Sequence, residues 1–143
     1  MQQARFLKSL GIVFIVVAML FAPAHADEAV VVIAHAPLRG INAEQIKRIY
    51  MGRVIELDGQ VLHPVQLTRG QPLRLRFHAR VLQQSEDDYF AYWTVRRYIG
   101  KGTPPQELPS AADVLAYVQR TPGAIGYLDA SEIKPGTVVV YRH

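Results

Sequence analysis

Residues 66–72 carry the residue types best suited to bind a ligand. An apolar run ends there at a glycine followed by Pro72, a pattern typical of a strand that passes into a helix. N–H groups at a helix start are free and lie at the positive end of the helix dipole, so the segment suits an oxyanion. Hydroxyl and amide side chains could add hydrogen bonds, and an arginine could add a bidentate ion pair. The predicted ligand-binding residues are Thr68, Arg69, Gly70, Gln71 and Arg74.

The same residues have an alternative interpretation without a ligand. Gly70 and Pro72 would then only shape a turn, and the arginines would be solvated. Helix starts are far more common than bound anions, so these residues alone favour the second interpretation.

The sequence contains no pattern typical of catalysis, metal binding or nucleic-acid binding. The histidines show no HxxxH or HExxH spacing, and there is no GxSxG or phosphate-binding glycine loop. Arginines 69, 74, 76 and 80 form the densest positive run, but they spread around a helix, and the aromatic residues lie on another helix rather than on a sheet. We therefore predict no enzyme activity, no catalytic residue, no metal, no cofactor and no nucleic-acid partner.

The first 26 of the 143 residues have the layout of a secretory signal peptide. Arg5 and Lys8 precede an apolar run over 11–22, and Ala24-His25-Ala26 follows as a cleavage site. A run of this length is too short for a membrane span of about 20 residues, although a retained anchor is the alternative. We predict cleavage after Ala26 and a periplasmic protein that is not inserted in the membrane.

Cleavage would leave a chain of 117 residues, 27–143, and would lower the formal net charge from +4 to +2. Such a small excess does not favour a nucleic-acid surface. The sequence contains no cysteine, which excludes disulfides, thiol catalysis and lipid attachment at the cleavage site. A chain of this length can still build its own core.

Strands and helices alternate along residues 27–143. The β-branched run Val30–Ala34 indicates a strand buried on both faces, as in a parallel sheet, and further strands are expected at 63–67, 124–128 and 137–141. Helices are expected after Asn42, Gly70, Ser85 and Ser110, three of which are capping residues. Residues 100–109, with two glycines and three prolines, are expected to form a loop. This order predicts one α/β domain with a short mixed sheet flanked by about four helices.

The order of several short motifs resembles the phosphate ABC-transporter substrate-binding proteins, and in particular their short, single-lobe members. The motifs are Ile46–Arg53, Pro64–Leu67, Tyr92-Trp93, Gly100–Gly102 and Thr121–Tyr127, of which the last is the most specific. The resemblance covers roughly residues 30–141. It implies a single lobe of a type 2 periplasmic-binding-protein fold.

The resemblance also implies a function. In full-length relatives an arginine followed by Ser-Gly-Thr binds phosphate where Arg69 and Gly70 stand here, whereas this chain continues Gln71-Pro72-Leu73. We therefore expect an exported solute-binding-like protein that holds phosphate or another small oxyanion. The alternative is a ligand-free periplasmic module that docks on an envelope or transport component, or that forms a homodimer.

Overall fold

The computed structural model describes residues 29–143, so the predicted signal peptide lies outside the described residues. Seven strands lie within these described residues: β1 (Val30–Ala34), β2 (Glu56–Leu57), β3 (Gln60–Val61), β4 (His63–Leu67), β5 (Gln106–Leu108), β6 (Ala124–Asp129) and β7 (Val138–Arg142). The helices are α1 (Ala43–Tyr50), α2 (Pro72–Phe77), α3 (Glu86–Tyr98) and α4 (Ala111–Arg120). A π-helical turn over His78–Leu82 extends α2, and a 3₁₀ turn covers Ala130–Glu132.

Five strands form one mixed sheet in the order β5-β4-β6-β1-β7. Strand β4 runs parallel to both of its neighbours, whereas β1 runs antiparallel to β6 and β7. The predicted short mixed sheet is therefore confirmed. The β-branched run of β1 is buried throughout, as expected. The expectation that its neighbouring strands run parallel to it is wrong, because burial on both faces does not determine strand direction.

Helix starts follow the sequence closely. The side chains of Asn42, Ser85 and Ser110 each accept a hydrogen bond from the backbone N–H three residues later, so all three predicted caps are confirmed. The predicted loop over 100–109 is partly wrong, because Gln106–Leu108 forms edge strand β5 beside β4. Asp58 and Gly59, both with positive φ, join β2 and β3 as a two-residue hairpin loop.

An aromatic cluster fixes β4 against the helices. Phe77 stacks on Tyr127 with ring centroids 3.9 Å apart, and the Tyr127 hydroxyl accepts a hydrogen bond from the Leu67 backbone N–H at 3.0 Å. The Tyr50 hydroxyl donates to the Val65 carbonyl at 2.9 Å. These buried rings hold the carboxyl end of β4 in a defined position, which is where the predicted ligand-binding residues begin.

Among residues 29–143, no helix is long and apolar enough to cross a membrane.

Candidate functional site

The turn after β4 brings the predicted residues together but uses their polar groups internally. The Gln71 side-chain amide donates to the Thr68 hydroxyl at 2.6 Å and to the Pro109 carbonyl at 3.0 Å. The Thr68 backbone N–H donates to the Leu108 carbonyl at 3.0 Å. Gly70 adopts a φ of +88° with open space where a Cβ would lie, and Pro72 contributes no N–H to the first turn of α2. Thr68 and Gln71 thus tie the turn to the end of β5.

Arg74 is a buried cation at the carboxyl end of β4. Its side chain forms a bidentate ion pair with Glu86, whereas its Nη1 donates to the Leu67 carbonyl and to Glu107, both at 2.7 Å. Only 3% of Arg74 is exposed. Burial alone would lower its pKa, but the hydrogen bonds to Glu86 and Glu107 outweigh burial and raise the pKa above its ordinary value. The guanidinium is therefore charged and held rigidly.

Arg69 lies at the surface of the same corner. Its Nη2 is 2.8 Å from Asp87 Oδ1, and its guanidinium carbon lies 4.6 Å from the centroid of the Phe90 ring. The second contact is a cation–π interaction. Arg69 thus connects the turn to the first turns of α3.

A cavity of about 280 Å³ opens beside this corner, between α3 and the β4–β5 edge of the sheet. Arg74 is the one predicted site residue that lines it. The α3 residues of the lining recur about one turn apart and so form one face of that helix. The lining consists of Gln66, Arg74, Glu107 and Pro104 on one side and Tyr89, Phe90, Trp93, Thr94 and Arg97 on the other.

Gln66 and Arg97 both bring to this cavity polar atoms that lack a partner in the described part of the chain. Gln66 is 1% exposed; its Nε2 donates to the Pro105 carbonyl at 3.0 Å, but its Oε1 has no hydrogen-bond partner. The exposed Arg97 side chain makes no hydrogen bond or ion pair with any residue of 29–143. A buried acceptor without a donor costs about 1–3 kcal/mol, so Gln66 Oε1 calls for a donor from outside the protein chain.

Two other cavities differ in character. One, of about 290 Å³, lies beside Ile49, Leu62 and Trp93 and is lined largely by apolar residues. The other, of about 200 Å³, lies beside His35 and Asp58. Neither contains a predicted site residue. Within residues 29–143 there is also no group of three His, Cys, Asp or Glu side chains that could hold a metal ion.

Three of the lining residues that the sequence did not predict, Gln66, Arg97 and Glu107, carry charged or amide groups. Gln66 lies within residues 66–72, and its position as a polar residue between the buried Val65 and Leu67 is a usable signal. Arg97 lies in the last turn of α3, where a cation is favourable beside the helix dipole whether or not a ligand binds. Glu107 lies in the segment expected to be a loop, and nothing local links it to Arg74, 33 residues earlier.

Comparison with known proteins finds similarity at the level of the fold. No family model matches the chain, and no curated protein matches it. Among solved structures, an ABC-type phosphate transport receptor from Vibrio cholerae is similar with a TM-score of 0.61 and 12% identity, over 79% of this chain and 45% of that chain. The fold is periplasmic-binding-protein-like.

A second solved structure agrees with the first. It is a putative phosphate ABC transporter substrate-binding protein with bound phosphate from Clostridium perfringens, with a TM-score of 0.63 and 19% identity over 79% of this chain and 44% of that chain. The predicted fold class is therefore confirmed. This chain spans less than half the length of either neighbour, and at these identities the likeness concerns the fold alone.

Proposed function

We propose that this protein is an exported solute-binding protein that holds phosphate or another small oxyanion at the carboxyl end of β4. The observation that carries the proposal is the cavity there, with a buried arginine at its back and the unpaired Arg97 beside it. Open α/β sheets bind ligands outside the carboxyl ends of their strands. The bound phosphate of the Clostridium perfringens neighbour supports the same ligand class.

The cavity is a better candidate for the ligand's position than the turn itself. The polar side chains of Thr68, Arg69, Gln71 and Arg74 all hydrogen-bond or pair within the protein. Their proposed role is to form a rigid frame, in which Arg74 lines the cavity and Arg69 positions Phe90. Arg97 would then supply the free positive charge, since a guanidinium can bind an oxyanion through two parallel N–H groups.

Thermal denaturation of the purified protein with phosphate, sulfate, molybdate and small carboxylates tests this proposal. A ligand present at 100 times its dissociation constant stabilises the folded state by about 2.7 kcal/mol. Arg97→Gln removes a charge-assisted bond worth about 1.5–3 kcal/mol, so we expect it to weaken binding by at least about tenfold. Arg48→Gln, which changes an exposed arginine of α1, is the matched control and should leave binding unchanged.

The variants also locate the ligand. If Arg69→Ala abolishes the effect and Arg97→Gln does not, the oxyanion lies at the turn that the sequence predicted rather than in the cavity. A flat response to every anion contradicts the proposal of oxyanion binding at either position.

Export is the second part of the proposal, and it depends on the pattern of residues 1–26. We expect cleavage after Ala26, because small residues occupy the first and third positions before the bond, as a signal peptidase requires. Mass spectrometry of the protein recovered from the periplasm of an expressing cell should give a chain that begins at Asp27. Recovery of the uncleaved chain in the membrane fraction would contradict this.

A docking module is the second candidate function, and one surface favours it. Val95, Tyr98 and Ile99 recur at helical spacing near the end of α3, and all three are exposed, Tyr98 at 92%. Exposed apolar patches mark interaction sites in monomeric proteins. A photo-crosslinking residue at position 98 should capture an envelope or transport component, or a second copy of this chain, in intact cells. Absence of any crosslink there would remove this candidate.

A further inference from the structure

We infer that the oxyanion taken by the cavity beside Gln66 is the carboxylate of a small zwitterion, an amino acid with an apolar side chain. This inference rests on the proposed function in one respect, namely that an anionic group binds at the carboxyl end of β4. It adds the requirement that the same ligand carries a positively charged hydrogen-bond donor.

The first argument is the orphaned acceptor. Gln66 lines the cavity. Its Oε1 is buried and has no donor among residues 29–143, and the orientation of the amide is fixed by the bond from Nε2 to Pro105. Sulfate and molybdate dianions carry no N–H or O–H group, so they leave this oxygen unsatisfied, whereas monohydrogen phosphate has a single O–H donor. An ammonium group has three N–H donors and can satisfy it.

The second argument is the free carboxylate oxygen on the same wall. Arg74 pairs with two carboxylates, Glu86 and Glu107, and Glu86 also lies 3.8 Å from Arg69, so the two positive and two negative charges of this group balance. Glu107 is bound to Arg74 through Oε1 alone, and within the described residues its Oε2 makes no contact with a donor. The free carboxylate oxygen of Glu107 and the amide oxygen of Gln66 suit a cation. The neighbouring Gln66 and Glu107 could hold an ammonium group together.

The third argument is the positive charge that α3 presents to the cavity. Arg97 lines the same cavity from α3 and has no carboxylate partner in the described chain. Its guanidinium can therefore receive a carboxylate. A ligand that is positive at one end and negative at the other satisfies Glu107 and Arg97 at once, whereas a fully deprotonated anion such as sulfate satisfies Arg97 alone.

The fourth argument is the apolar part of the lining. The Trp93 indole N–H and the Tyr89 hydroxyl both donate to the Tyr50 carbonyl, at 3.3 and 3.0 Å, so their polar groups are already used. These two rings and Phe90 therefore present apolar surface to the cavity. A volume of about 280 Å³ equals the share of about nine water molecules, at about 30 Å³ each, which leaves room for an aliphatic side chain.

Isothermal titration of the purified protein with four probes tests this inference. The probes are L-leucine, leucinamide (no carboxylate), 4-methylpentanoate (no amino group) and inorganic phosphate. We expect L-leucine to bind, and each of the two analogues to bind at least tenfold more weakly. Arg97→Gln should weaken leucine binding at least tenfold, and Arg48→Gln, at a residue that does not line the cavity, should not change it.

The outcomes separate this inference from the proposed function. If phosphate binds and leucine does not, the inference is overturned and the proposed function stands. If leucine and 4-methylpentanoate bind equally, no ammonium group is recognised and the inference is also overturned. If no probe binds and no anion of the wider panel stabilises the protein, both the inference and the proposed function are overturned. Gln66→Met is a second variant, and its melting temperature is compared with that of the wild type to show that it folds. If the folded variant binds leucine as tightly as the wild type does, the role of Gln66 Oε1 is refuted.

Discussion

His78 should make the protein sensitive to acid. The residue lies in the π-helical turn after α2, is 1% exposed, and packs edge-on against Tyr89 with ring centroids 4.6 Å apart. Neither ring nitrogen has a hydrogen-bond partner among residues 29–143. Burial lowers the pKa of His78 from 6.5 to about 4; the nearby Glu86 carboxylate opposes this shift, and Arg74 adds to it.

The sign of the effect follows from proton binding. Between pH 6.5 and pH 4 the unfolded chain binds a proton at His78 that the folded chain does not, so the free energy of unfolding falls as the pH falls. The difference of about 2.5 pKa units corresponds to about 3 kcal/mol, at about 1.4 kcal/mol per unit. That loss is a large share of the 5–15 kcal/mol typical of a domain.

Urea unfolding at pH 7 and pH 4 measures this loss. Carboxylates also titrate in this range, so the His78→Leu variant serves as the reference, because it keeps the site apolar and removes the titrating group. The wild type should lose about 3 kcal/mol more than His78→Leu between the two pH values. An equal loss in the two proteins would refute the argument, and His63→Asn, at an exposed histidine of β4, should behave as the wild type does.

Two further predictions concern stability in urea. Glu86→Ala leaves the Arg74 charge buried without its bidentate partner and should lower the free energy of unfolding by about 3 kcal/mol or more. The control Asp87→Ala, at a side chain 94% exposed, should lower it by under about 1 kcal/mol. Equal losses would contradict the importance of the buried pair. Gly123→Ala would place a Cβ 2.0 Å from a backbone oxygen of β3, at a φ of +79°. It should lower the free energy of unfolding by well over the roughly 1–2 kcal/mol expected for Gly136→Ala, where φ is +85° and the space is open. Similar losses in the two variants would show that the close approach is absent.

Local signals in the sequence predicted the helices and most of the sheet. A capping side chain and the helix that follows it lie within a few residues of each other, so Asn42, Ser85 and Ser110 could be identified without a structure. Strand β5 could not, because Gln106–Leu108 has no apolar alternation of its own and becomes a strand through its pairing with β4. The direction of β1 was equally inaccessible, because it depends on which strands pair with it.

The candidate site was predictable only in part. The segment after β4 was identified from its glycine and proline, but whether Arg69 and Arg74 are free depends on carboxylates that are distant in sequence. Glu86 lies 12 residues and Glu107 lies 33 residues from Arg74, and no pattern along the chain pairs them. The orphaned oxygen of Gln66 is likewise a property of the packed structure, since it exists only once β4, α3 and the segment at Pro105 have come together.

The most direct test of ligand binding at the carboxyl end of β4 is to map the ligand by NMR. A titration of the ¹⁵N-labelled protein with phosphate and with L-leucine, recorded on both backbone and side-chain N–H signals, reports every residue near the ligand. We predict the largest shifts at the Gln66 side-chain amide, the Arg97 guanidinium Nε–H and the backbone N–H of Glu107. Shifts confined to the exposed end of α3 or to the other two cavities, or none with either ligand, would contradict the assignment of the site.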